Sequence, residues 1–107
     1  AYDTIHRNNP MGFFGMVHVL EGTSINLADK VAGAVKSTLN LPPNAFSYLI
    51  SHGSLDKDHV AFFENLMNKV DCSEDQKAII HSCKVFYKLY GDIFRSLTTE
   101  HGVPSVA

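Results

Sequence analysis

An all-α fold of about four helices follows from three observations on the 107-residue chain. Apolar residues recur at three- and four-residue intervals, no segment sustains period-two alternation with β-branched enrichment, and Pro and Gly fall at a few separated points. With 45% apolar and 19% charged residues, residues 1–107 read as one globular, all-helical domain.

The chain opens Ala1-Tyr2-Asp3-Thr4, without an initiator Met, and its first strong helix signal comes only around Pro10. From Met11 to Leu39 the residues Phe14, Val17, Ile25, Ala28, Val31 and Val35 keep helical spacing. This is one long helix, with Gly22 to Ser24 the place for a bend, and Pro42-Pro43 forbids its continuation. A short helix from about Asn44 to Ser51 leads past Gly53 into a helix ending near Val70, and the spacing leaves open whether Gly53 kinks or breaks it. Ser73 with Gln76 three residues on forms a capping-box pattern that makes Ser73 the N-cap of the last helix. That helix carries Ile79, Ile80, Cys83, Phe86, Tyr87, Tyr90, Ile93, Phe94 and Leu97, and stops before Gly102 and Pro104.

A net charge of −2 leaves no basic surplus to neutralise phosphates, which argues against nucleic acid and anionic membranes as partners. Glu21, Asp29 and Lys30 interrupt the longest apolar stretch, so no membrane span is expected. Cys72 and Cys83 form neither a CxxC nor a disulfide framework and read as reduced thiols of a cytoplasmic protein. A domain of this size buries only about 60 to 65% of its unfolded surface. A second chain or a missing segment is therefore expected to complete the core.

Two groups of polar residues enter apolar faces. With Glu21 at zero on a helical wheel, Phe14, Val17, His18, Ile25, Ala28, Ala32 and Val35 lie within about 60° of it. A carboxylate there needs a metal, a cation, a hydrogen-bond donor or a proton, unless the face is wide and Glu21 sits at its wet edge. His52, Asp56 and His59, spaced four and then three, share one helical face that continues as Phe63, Leu66 and Val70. Imidazole with carboxylate suits first-row transition metals, and facing helices can hold one or two ions this way. The alternative is a hydrogen-bonded polar cap without metal. His18, one turn before Glu21, is either a further donor to the site or a satisfied core histidine. The aromatic residues of the last helix read as core or dimer surface, and His6 and His81 belong to no ligand-spaced set. No nucleophile elbow, P-loop or dinucleotide fingerprint is present.

Asn9-Pro10-Met11-Gly12 leading into Val19-Leu20-Glu21-Gly22-Thr23-Ser24, followed about thirty residues later by His52-x3-Asp56-x2-His59, resembles the C-terminal half of a heme-oxygenase-like domain. More narrowly, it is similar to the heme-oxygenase-like diiron oxidases and oxygenases, the CADD-like iron-containing redox enzymes, within the superfamily that includes TenA. The likeness runs from about Asn8 to Leu97. It implies a heme-oxygenase-like (TenA-like) helical bundle, here partial or completed by another chain. It also implies Glu21, His52, Asp56 and His59 as ligands of non-heme iron, one or two ions, with manganese an alternative. In that family a preceding helix supplies a further Glu and His, so the expectation is a piece of a longer chain, ligands from another subunit, a single ion or a degenerate site. The implied activity is O2-dependent oxidation of a small organic substrate by a homodimer. Three other readings stay open. One is a TenA-like hydrolase, although Cys72 and Cys83 lie off the ligand face. The second is a heme oxygenase with His6 as axial ligand, and the third is a non-catalytic helical assembly module.

Overall fold

The computed structural model describes residues 1–97. Among these residues there are four α-helices and two 3-10 turns, and no strand. The helices are α1 (Tyr2–Arg7), α2 (Phe13–Leu39), α3 (Ser47–Met67) and α4 (Ser73–Ser96), with 3-10 turns at Pro10–Gly12 and Pro43–Phe46. Gly102 and Pro104, the expected stop signals of the last helix, lie outside the described residues; α4 ends at Ser96.

The leading segment, which carries no strong helix signal in the sequence, forms α1. Asp3 in its first turn and His6 and Arg7 in its last complement the helix dipole, and Arg7 lies 3.7 Å from Asp3. The expected start of the long helix divides in two. Pro10 occupies the first position of a 3-10 turn, where its missing N–H costs nothing, and the Asn9 side chain accepts a hydrogen bond from the Met11 N–H at 3.0 Å. α2 then runs unbroken through Gly22 to Ser24, where the Thr23 and Ser24 hydroxyls donate back to the carbonyls of Val19 and Leu20. It ends at Leu39, and Asn40 takes φ 51°, the left-handed conformation that Asn tolerates after a helix.

Gly53 neither kinks nor breaks α3, which is continuous from Ser47 to Met67 and ends before the expected Val70. The stretch before it is a 3-10 turn, not the start of a helix, because Pro42-Pro43 sets an extended entry. The capping box at Ser73 does not form as the pattern suggests. Cys72 is the N-cap, its side chain makes no capping hydrogen bond, and its carbonyl accepts the Gln76 N–H at 3.0 Å, so Ser73 is already helical.

The chain forms two compact units. One joins Ala1–Met16 to the described residues from Cys72 on; the other is Val17–Asp71. In the first, the Asn9 amide donates to Asp75 at 2.7 Å and ties the Pro10–Gly12 turn to the start of α4. Gly15 faces the α4 backbone so closely that an added Cβ would overlap the Ile79 carbonyl oxygen and lie 2.8 Å from the Cys83 nitrogen. Cys83 donates its S–H to the Gly15 carbonyl at 3.4 Å, and burial pushes its thiol pKa up. Ile79 and Ser82 are the buried residues of α4. In the second unit, Val19 and Phe46 are buried, each contributing about 1.5 to 3 kcal/mol by leaving water. Gly53 is buried against Ala28, whose Cβ stands 3.7 Å from where a Gly53 Cβ would be. Small residues thus let α3 approach α2 closely at this point. No helix among the described residues is long and apolar enough to cross a membrane.

The two outer glycines of α2 differ sharply: nothing lies within 4 Å of a Cβ added at Gly33. Gly15→Ala is expected to lower stability by about 2 to 3 kcal/mol through overpacking. Gly33→Ala is expected to raise it by about 0.5 to 1 kcal/mol through helix propensity. Urea unfolding followed by circular dichroism checks both signs.

Candidate metal centre

The second unit brings three of the four expected ligands together. Glu21 comes from the second turn of α2 past Val17, and Asp56 and His59 from successive turns of α3, so two helical stripes meet. One ligand atom from each of Glu21, Asp56 and His59 lies within 4.8 Å of the others. His59 Nδ1 is 3.6 Å from Glu21 Oε1 and 3.9 Å from Asp56 Oδ1. The Asp56 side chain is 14% exposed, Glu21 28% and His59 51%, so the carboxylates are inside and the imidazole stands at the mouth.

Glu21 points inward as its wheel position predicts: Phe14, Val17, His18, Ile25, Ala28, Ala32 and Val35 are all half-buried with it. Its Oε2 is buried and has no hydrogen-bond partner. The Nδ1 of His18, on the same face one turn earlier, is likewise buried and unpartnered. His52 is placed differently. It is exposed, its ring packs on Tyr48 with centroids 3.9 Å apart, and its Nδ1 donates to the Tyr48 carbonyl at 3.0 Å. The sequence spacing puts His52 on the ligand stripe, while the carbonyl one turn back holds its ring. Tyr48 is the contributor that sequence reading missed, and its signal was the helical spacing of four between positions 48 and 52. His6, the candidate axial heme ligand, is exposed and stacks on Tyr2.

These donors fit a first-row metal ion on three counts. Two carboxylates and an imidazole are a borderline-hard oxygen and nitrogen set, as iron or manganese prefers. The separations from His59 to the carboxylates are too long for hydrogen bonds, yet they suit two ligands sharing an ion with bonds of about 2.1 Å, which stand about 3 to 4 Å apart. A buried carboxylate oxygen without a donor is costly until a cation or donor reaches it.

The cost and its use separate in one experiment. Without metal, Glu21→Met is expected to raise stability by about 1 to 3 kcal/mol, because an apolar side chain replaces an unpartnered polar atom. With a divalent ion at about a hundred times its Kd, the unaltered chain gains about 2.7 kcal/mol, and Glu21→Met gains none. Thermal melts with chelator, Mn(II) or anaerobic Fe(II) read both effects.

Comparison with curated proteins and with solved structures gives no match. The family model described as iron-containing redox enzyme matches residues 1–91, a span that includes Glu21, Asp56, His59 and His52. The chain therefore belongs to the iron-containing redox enzymes, a family of the all-helical, heme-oxygenase-like fold.

Proposed function

We propose that the chain binds non-heme iron through Glu21, Asp56 and His59, with His52 as a further ligand, and oxidises a small organic substrate with O2. Membership of an iron-containing redox family supports the general chemistry. The observation that carries the specific reading is the buried, unpartnered Glu21 Oε2 inside a three-residue ligand cluster. Bound iron, as one or two ions, supplies the one-electron and O2 chemistry that protein side chains lack, and manganese is the alternative occupant.

The residues have distinct tasks in this reading. Glu21 and Asp56 bring two negative charges into a poorly solvated place, which a divalent cation offsets. His59, half exposed, binds as the neutral imidazole and borders the opening through which a substrate reaches the cluster. His52 donates its Nδ1–H to the Tyr48 carbonyl and stands away from the cluster. Turning it toward the cluster costs that one hydrogen bond, about 0.5 to 1.5 kcal/mol. His18, one turn before Glu21 with its Nδ1 buried and unpartnered, is the further donor beside the site in this reading. The free thiols Cys72 and Cys83 support a reducing compartment such as the cytoplasm, and exposed apolar residues such as Phe62, Tyr87 and Ile93 support a homodimer.

Anaerobic purification with added iron, followed by metal analysis and O2-uptake assays, tests the proposal. Stoichiometric iron is expected in the unaltered chain and a loss of at least about tenfold in affinity in Asp56→Ala and in His59→Ala. His52→Ala is expected to lower iron affinity less. Iron content and O2 uptake unchanged in Asp56→Ala would refute the assignment.

A further inference from the structure

The first unit holds a cleft of about 520 Å³ that the metal cluster does not touch, lined by α1, the Pro10–Gly12 turn and α4. Ser82, 6% exposed, is one of its lining residues, and its buried hydroxyl has no hydrogen-bond partner. Lys77 and His81, one helical turn apart on α4, line the same cleft. Neither makes an ion pair or hydrogen bond among the described residues. The acidic groups on the wall are differently placed. Asp3 accepts from the Asn8 amide at 3.0 Å and lies 3.7 Å from Arg7, and Glu74 sits in the first turn of α4, where the helix dipole favours its charge. Glu74, like Lys77, His81 and the Ser82 hydroxyl, makes no hydrogen bond or ion pair among the described residues, and these four groups lie next to the apolar surface of Ala78, Val85 and Phe86.

We propose that this cleft binds a small monocarboxylate, its carboxylate taken by Lys77, His81 and the Ser82 hydroxyl and its short apolar chain lying against Val85 and Phe86. A carboxylate answers Lys77, His81 and the Ser82 hydroxyl, since it accepts from an ammonium, an imidazole N–H and a hydroxyl at once. A single charge suits the site better than a phosphate dianion, because Asp3 and Glu74 border the same cleft and would repel the second charge. Gly12 is buried beside Ser82 in the same lining, and a Cβ added there would stand 3.1 Å from Thr4 Cγ2, 3.4 Å from the Ala78 carbonyl oxygen and 3.5 Å from the Ser82 Cβ. The site is independent of the metal centre and does not rest on the function proposed for it.

Sodium butyrate and its uncharged isostere butyramide are the probes, titrated into the full chain in the presence of chelator and followed by backbone amide shifts. Chelator removes carboxylate binding to a metal from the readout. Saturable shifts along residues 77–86 are expected for butyrate, with butyramide at least about tenfold weaker. Lys77→Gln and Ser82→Ala are each expected to weaken butyrate about five- to tenfold, whereas Lys69→Gln, outside the cleft, leaves it unchanged. Ser82→Ala should melt no lower than the unaltered chain, since it removes an unpartnered buried hydroxyl. If Ser82→Ala fails to fold, Lys77→Gln alone decides. Equal binding of butyrate and butyramide, the absence of saturable shifts, or unaltered affinity in Lys77→Gln would overturn the proposal.

Discussion

A carboxylate oxygen removed from water with nothing to bind sets the character of the second unit. Glu21 Oε2 lies on the inward stripe of α2, and neither a backbone N–H nor a side-chain donor reaches it. The ordinary way to lower that cost is to replace the residue with an apolar one, which the half-buried surroundings of Glu21 would accept. Its position is intelligible once a cation stands between it, Asp56 and His59. The desolvated charge then becomes the source of affinity, because the same low polarity that penalises a lone carboxylate strengthens its attraction to a metal.

The meeting of the two stripes depends on small residues away from the ligands. Gly53 and Ala28 let α3 lie close on α2, and Asp56 follows Gly53 by three residues, so the contact and the ligand share one face. Asp56 is the most enclosed of the three ligands, and His59, one turn further, is half exposed. The gradient from enclosed carboxylates to a half-exposed imidazole gives the cluster one enclosed side and one open side. The spacing along the chain and the distances in space single out the same three residues, Glu21, Asp56 and His59, and the span matched by the family model contains them.

Most of the helical content was legible from apolar periodicity alone, as were Glu21 pointing inward and Asp56 and His59 sharing a face. What was not legible turned on local competition. α1 is short and held by charge placement and an Asn8 side chain, which produce no periodic signal. The capping pattern at Ser73 fails because the helix begins one residue earlier than the pattern implies. His52 has the right spacing, but spacing fixes only the direction of Cβ, and the Tyr48 carbonyl and ring decide where the imidazole goes. The cleft on the first unit was invisible for another reason: Asn8 and Gly12 are far from Ser82 along the chain, and only the fold makes them neighbours.

The central claim is that one metal ion answers the Glu21 carboxylate, and anomalous diffraction at the iron edge from crystals grown with Fe(II) under anaerobic conditions tests it most directly. The account predicts an anomalous peak within bonding distance of Glu21 Oε2, an Asp56 oxygen and a His59 nitrogen. A peak elsewhere, or a fully iron-exposed crystal in which Glu21 is instead hydrogen-bonded to a protein donor, would contradict it.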